Sequence, residues 1–475
     1  MKRIPVFFIA IVSFVWSQTQ AQTVNFFKDN IYNLTYNPAT EITVRQHFGF
    51  FISNFNLQVG TNLLIYKKVV STDNEGNKVI DPKGFFSRIP KSAYGEIFGN
   101  VNTELLGYGI GVNPKLYLMF STRIRTENTV FIPSGLFHMA SDGNIAHIGE
   151  ELTILPMFSM LTYLDNSIGA QYKITDKITV GVRGKFLMGL VGANIKESGF
   201  TLTTDDEWNL HLKGSALATL YLPKSLIDGR LSTFTLADSA LFVMGKINAG
   251  NILNLLGSSY GGGFDLGIDV KLPFNIGVKA SLIDMGWIKW DRNQNGATNY
   301  RIDINPAHSL YQNGELVYSG ENSLDSFKLS SDFFNQMIEN MALDSAFLFT
   351  ETTLESYTMM THPKLFLEGY YELGVNKFSA LLRLDFISKR VLPTFTLGYN
   401  LNLKKIIDVA LCYSIAKGSY GNFGVGFSLN PGNIFHFYLA ADNLTTLFAP
   451  RASIFNLNVH TGLFFTAPVK KPEGE

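Results

Sequence analysis

The residues that could carry chemistry in this chain are few. The stretch "GSSYG" at 257–261 fits the G-x-S-x-G pattern around Ser259, which in hydrolases sets a serine nucleophile on a strand-to-helix elbow. Here a glycine run and the alternating segment "GGGFDLGIDV" follow, which reads as strand and not helix. No catalytic residue is assigned, and hydrolysis through Ser259 stays a minor alternative to a non-enzymatic role. The 8 histidines fall in no metal-binding spacing, so no zinc site is indicated. Cys412 is the single cysteine, which excludes an internal disulfide and a cysteine-based metal cluster. In "DRNQNGATNYRID", Asp291, Asn293, Asn295 and Gly296 match positions 1, 3, 5 and 6 of a calcium loop. The twelfth position is Ile302 and not glutamate, and no flanking helices are evident. A plain Asn-Gly turn is the simpler reading, so no metal and no cofactor is expected.

A second set of charges is more regular. Arg183, Lys185, Asp265, Asp269, Lys271, Lys279, Lys364, Glu368, Arg383, Asp385 and Asp408 all fall on the small or polar face of segments that alternate in hydropathy. His436 and His460 share that face in late segments. Charges of both signs, enclosed, make either a salt-bridge network or a polar conduit. Either argues against a uniformly greasy interior.

The elements that must position these residues are strands. In "FNLNVHTGLFF", Phe455, Leu457, Val459, Leu463 and Phe465 alternate with Asn456, Asn458, His460 and Gly462. In "FGVGFSLN", Phe423, Val425, Phe427 and Leu429 alternate with Gly424, Gly426 and Ser428; the turn Asn430-Pro-Gly-Asn433 follows, then Phe435, Phe437 and Leu439. Two alternating runs around such a turn read as a hairpin. Candidate runs lie near 46–57, 101–111, 115–125, 166–173, 178–204, 207–222, 260–270 and 274–283. Others lie near 363–374, 377–388, 394–402, 406–416, 420–429, 434–442 and 455–465. That is fifteen, whereas single-chain bacterial barrels favour even numbers, so 14 strands are expected. With parity open, the side on which each long connection lies is not assigned.

Composition and the ends fix the class. Charged residues are 16% of the chain, with 39 Phe and 42 Gly; soluble domains carry about 25% charge. Net charge is zero, leaving no basic footprint for nucleic acid. Lys2 and Arg3, the apolar run Ile4 to Trp16, and a polar stretch ending at Ala21 read as a signal peptide over 1–21. The apolar run falls short of the about 20 residues a spanning helix needs, and no longer one follows. An exported chain of alternating strands without a helical span fits an all-β, transmembrane antiparallel barrel, since only helices and closed barrels satisfy their backbone in lipid. A secreted β-sandwich is the rival. The barrel is expected over 45–466, with long loops at 223–259 and 284–362 and a disordered tail at 467–475. An amphipathic helix is expected within "SSDFFNQMIENMALDSAF".

Two stretches carry a family resemblance. The sequence "LTYNPA" at 34–39, between the signal and the first strand, resembles the FadL-like outer-membrane barrels, which include hydrophobe transporters and the PorV-type proteins of type IX secretion. "GGGFDLGIDVKLPFNIGVKASLIDMGWIKW" at 261–290 is similar to uncharacterised Gram-negative barrels of that superfamily, with Asp284, Gly286, Ile288 and Trp290 in their D-x-G-x-I-x-W pattern. The resemblance implies an N-terminal hatch over 22–44 closed by Asn37, Pro38 and Ala39, and location in the outer membrane. It also implies passive transport or binding of a small hydrophobic or amphipathic ligand. The alternative it carries is a barrel partner in a secretion or surface-assembly complex. From the residues alone, Asn37-Pro38 is a sound tight turn, with Pro38 fixing φ and Asn37 bonding its own turn.

Overall fold

The computed structural model describes residues 22–28, 30–42, 44–50, 53–61, 70–72, 78–80, 94–221, 259–290, 297–318, 347–352, 357–387, 390–404, 406–416, 419–444 and 455–468. The segment 1–21, Asp291, Asn293 and Asn295, the stretch 331–346 and the tail from 469 lie outside the described residues.

Alternation builds a closed antiparallel barrel of 14 strands. Its strands are β1 (Val44–Phe50 and Phe55–Thr61, two halves of one wall strand), β2 (Tyr94–Gly111), β3 (Leu116–Pro133), β4 (Met157–Thr175) and β5 (Ile178–Ser198). They continue with β6 (Ser259–Lys271), β7 (Ile276–Trp290), β8 (Tyr357–Met360 and Lys364–Leu373), β9 (Asn376–Ile387) and β10 (Arg390–Leu403). The last are β11 (Ile407–Ala416), β12 (Ser419–Leu429), β13 (Phe435–Asp442) and β14 (Phe455–Pro468). Closure is made by β14, which pairs with both halves of β1 through Val44↔Pro468 and Phe55↔Thr461. The large apolar residues point outward: Phe423, Val425 and Phe427 on β12 and Leu463 and Phe465 on β14 are exposed, while Asn422, Ser428, His460 and Phe464 are buried inside. A closed wall leaves no unpaired edge, and an apolar exterior is what lipid requires.

The turns at 112–115, 176–177, 272–275, 374–375, 404–406 and 430–434 are short and lie at the end that holds the barrel termini. The strand ends that the longer connections join lie at the other end, including those flanking both connections that the sequence marks out. The second begins later than expected, because β7 runs on through Asp284 to Trp290, and it contains further strands.

The run 207–222 is not wall. It supplies Leu210–Lys213 and Ser215–Tyr221, which belong to a head built on the end remote from the termini. The upper half of β5 leaves β6 and pairs with Ser215–Tyr221, which pairs with Ala297–Ile304 and then Phe347–Thr352. A separate sheet of Glu151–Thr153, Thr201–Thr204, Leu210–Lys213, Glu315–Tyr318 and Tyr311–Gln312 accompanies it. Phe200, Leu202, Leu210, Leu212, Ile302, Ile304 and Leu316 form the core of this head, with Met139 from the helix α1 (Ser134–Asp142). A half-buried strand has period two whether lipid or a protein core lies on its apolar side, which is why this run imitates a wall strand.

At one tip of the head, Asp205 accepts from the N–H groups of Glu207 and Asn209 at 2.9 and 2.7 Å and from His211 Nε2 at 2.9 Å. His211 Nδ1 faces Glu315 Oε2 at 2.9 Å. The bond to Asp205, then that to Glu315, raises the His211 pKa above its ordinary 6.5. Desolvation opposes the change at Asp205, but the bonds from His211 and Asn209 outweigh it and hold the carboxyl at about 2. The histidine contribution is therefore complete below pH 6.5 and lost as pH rises through the raised value; the aspartate contribution is present above 3.8 and lost as pH falls toward 2. Amide-exchange protection of Leu210–Lys213, corrected for intrinsic rates, is expected to drop between pH 6 and 9 in the wild type and to stay flat in His211→Gln. Equal protection at both pH values in the wild type would sink this account.

Candidate functional site

The site is built from the inner face of the wall and from the N-terminal segment lying inside it. The sequence makes that segment short and irregular: Thr23–Phe26 and Ile31–Thr35 are single 3₁₀ turns, the second capped by Asn30, whose side chain accepts from the Tyr32 N–H. Val24, Phe26, Phe27, Ile31, Tyr32 and Leu34 are buried with Ala410, Tyr438, Phe464 and Phe366 of the wall in one apolar cluster. Asn37 Oδ1 accepts from the Ala39 N–H at 2.8 Å, and Asn37 Nδ2 donates to the Ile268 carbonyl at 3.2 Å. Pro38 lies where wall residues have no side chain: a Cβ on Gly181 would strike its carbonyl, and one on Gly267 the Asn37 amide. Further polar ties join Thr23 to Asp442, the Lys28 N–H to Asp408 (2.9 Å) and the Gln171 amide to the Thr40 carbonyl. At the mouth Glu41 lies between Lys173 and Lys271.

On the side of this segment nearer the head the barrel holds a layer of charge, with Asp284 at its centre. Between Phe264 and Leu266 the β6–β7 ladder slips, and Asp284 adopts φ 60° in the bulge. The extra residue turns both Ile283 and Asp284 inward and reverses the phase of the rest of β7. Gly286, Ile288 and Trp290 consequently face in, although the residues of the same parity at 276 and 278 face out. The Asp284 carboxylate accepts from Arg125 Nη2 (2.9 Å), Lys185 Nζ (2.6 Å) and Lys364 Nζ (2.7 Å), and its N–H donates to Asp265 Oδ1 (2.7 Å). Asp265 also meets Arg183 at 2.7 Å and Lys185 at 2.9 Å.

Of the residues expected in the lumen, Arg183, Lys185, Asp265, Asp269, Arg383 and Asp385 are buried, and Lys279 is partly buried at 3.8 Å from Asp269. Arg383 pairs with Asp385. The structure joins Arg183, Lys185 and Asp265 in the Asp284 network and sets Asp269 and Lys279 in a group with Tyr370, Glu368 and Lys377. Sequence reasoning missed Arg123, Arg125 and Asp165. The first two alternate with Phe120 and Ile124 on β3, so the same period-two signal carries them.

Nearer the head than the charges, Leu161, Tyr163, Leu187, Tyr221, Ile288 and Trp290 form an apolar layer, joined to the charges where the Arg125 guanidinium lies 5.5 Å from the Tyr163 ring centre. Between the N-terminal segment and this layer is a cavity of about 50 Å³. Tyr32, Tyr36 and Ile283 line it together with Asn54, Asn56, Asn102, Asn458, His460 and the charged Arg123, Arg125, Asp284, Lys364 and Arg383. Ser259 lies elsewhere: it opens β6 opposite Trp290, with strand on its C-terminal side, which is not the geometry of a nucleophile elbow.

Fold and interior together define an outer-membrane-type β-barrel with its own N-terminal segment folded into the lumen. The chain belongs to DUF5723, a family of unknown function, whose model matches residues 38–442. No curated protein matches the sequence. Among solved structures it is similar to FadL-type barrels. One is the toluene transporter TodX of P. putida, with 12% identity over 93% of this chain and 95% of that one, TM-score 0.43. Another is the toluene transporter TbuX of Ralstonia pickettii, with 13% identity, 93% and 94% covered, TM-score 0.42. A FadL homologue of Pseudomonas aeruginosa gives 12% identity, 93% and 94% covered, TM-score 0.29.

Proposed function

We propose that the protein is an outer-membrane barrel that binds and passively passes a small amphipathic molecule. The observation that supports this is the cavity beside the N-terminal segment, whose lining mixes Tyr32, Tyr36 and Ile283 with amide and charged side chains. In this reading residues 1–21 are a signal cleaved after Ala21, residues 22–44 are a hatch, and Asn37, Pro38 and Ala39 close it. The short turns face the periplasm and the head faces outside, as barrel convention has it. Mass spectrometry of protein extracted gently from its native membrane tests it. A small amphiphile at fixed stoichiometry is expected; an empty cavity in every preparation would remove the reading.

One observation favours the assembly-partner role as a second reading. Trp208, at the tip of the head, is 49% exposed and held at φ 67° by the Asp205 turn. A bulky residue fixed in that conformation and offered to solvent has the character of an interface anchor. Trp208→Ala is expected to abolish co-purification of a surface protein while leaving the barrel folded; retention of every partner by the variant would end this reading.

A further inference from the structure

The described part of the N-terminal segment begins deep in the lumen. Gln22 and Thr23 are 1% and 0% exposed, and Gln22 Oε1 accepts from the Thr396 hydroxyl of β10. Thr23 binds one oxygen of the Asp442 carboxylate of β13 twice: its N–H donates to Oδ1 at 3.1 Å, and so does its hydroxyl. Cys412 of β11 joins them, with Sγ 3.0 Å from Thr23 Oγ1 and 3.4 Å from Asp442 Oδ1. A Cβ on Gly424 of β12 would strike Thr23, Asp442 and Cys412 at once, so the seat is closely filled. Yet Asp442 is buried, its Oδ2 accepts no hydrogen bond, and no lysine, arginine or histidine pairs with it among the described residues. The other enclosed carboxylates are matched: Asp165, Asp265, Asp284, Glu368 and Asp385 each meet a lysine or arginine. A buried carboxylate without a cation is costly. The group that faces it is the backbone nitrogen of Gln22, directed at the same carboxylate.

We propose that this nitrogen becomes the partner of Asp442 when the chain is processed, so that cleavage after Ala21 creates the ion pair that seats the segment in the lumen. Hydrolysis of the Ala21–Gln22 amide by one water leaves a carboxylate on the departing peptide and an α-ammonium on Gln22. An α-amino group titrates near pH 8, so it is largely charged at neutral pH, and it carries three donors where the amide had one. One of them can serve Oδ2 while Thr23 keeps Oδ1. The inference rests on the signal cleavage read above and adds what that cleavage does inside the barrel. The precursor has only a neutral N–H at this point, and further chain to accommodate in a filled space.

Cys412, the single cysteine, lies against Thr23 and reports on its seating. The full mature chain in lipid nanodiscs is treated with a small methanethiosulfonate reagent and, in parallel, with acetic anhydride. Intact mass is expected to show a chain that begins at Gln22 with a free amine. Both that amine and Cys412 should react slowly in the folded barrel and rapidly in guanidinium. Asp442→Asn, equal in shape but neutral, should speed both reactions of the folded protein about tenfold. A glycine inserted between Ala21 and Gln22 moves the ammonium one residue (~3.8 Å) along the chain and should do the same. The insertion decides the matter if Asp442→Asn does not fold. Rates unchanged in Asp442→Asn, or in the insertion variant where it must decide, overturn this inference and leave the cleavage reading standing. So does a Gln22 found cyclised to pyroglutamate, which has no ammonium to offer. A mature chain that begins at another residue overturns the cleavage reading as well.

Discussion

Asp284→Ala is expected to destabilise the barrel by about 3–5 kcal/mol, the range for breaking a buried ion pair from one side. The cost comes from what is left behind. Lys185 keeps Asp265 at 2.9 Å and Asp165 at 3.4 Å, and Arg125 keeps Asp165 at 3.5 Å and Glu127 at 3.7 Å. Lys364 retains the His362 carbonyl at 3.3 Å, a neutral acceptor in place of a carboxylate. Part of the alanine effect belongs to the backbone, because a left-handed conformation costs an ordinary residue ~1–2 kcal/mol while asparagine tolerates it. Asp284→Asn keeps the bulge and an accepting oxygen while removing the charge, so the gap between the two variants contains the strain together with the hydrogen bonds that asparagine retains. Lys364→Met in the Asp284→Asn background should restore part of the loss, a coupling expected of groups in one network. Guanidinium unfolding followed by tryptophan fluorescence reads all three. Asp284→Asn unfolding within ~0.5 kcal/mol of wild type would show that the network does not hold the barrel together.

How far the sequence discloses this centre depends on what sets each position. The wall was legible because lipid selects every second residue on β12, β13 and β14, and that filter is stronger than any local propensity. It also explains why Ser215–Tyr221 was misread: the core of the head selects the same period, and nothing in seven residues distinguishes lipid from Leu202 and Leu212. Removing that run from the fifteen leaves the 14 strands of the wall. The pattern of Asp284, Gly286, Ile288 and Trp290 was visible as a motif, but its physical cause was hidden. A bulge reverses strand phase at one residue, and φ 60° at an aspartate leaves no mark in composition. The glycines on the inner face were equally opaque. Gly181, Gly267 and Gly398 have no side chain because Pro38, Asn37 and Phe26 occupy the space, a contact between segments more than a hundred residues apart in sequence.

That close approach gives the second large effect. Phe26 is fully buried, and its ring covers Gly398 on β10, so that a Cβ there would overlap the ring itself. Gly398→Leu is therefore expected to expel Phe26 and the first 3₁₀ turn from the lumen without breaking the ladder of β10, whose backbone pairs with β9 and β11 on either side. Overpacking a filled interior usually costs about 1–3 kcal/mol, but here the yielding element is a segment held by noncovalent contacts, so displacement replaces strain. Phe26→Ala acts on the same contact from the other side and should cost about 3–5 kcal/mol of the segment's hold on the wall. Deleting residues 22–42 is the limiting case. In planar bilayers the wild type should conduct ions poorly. Gly398→Leu should conduct more, with frequent closures as the segment returns, and the deletion should remain open. The order follows from the segment lying directly across the lumen. If the deletion conducts no better than wild type, the apolar layer around Tyr163, Tyr221 and Trp290 closes the barrel by itself, and the segment serves to hold the cavity in shape.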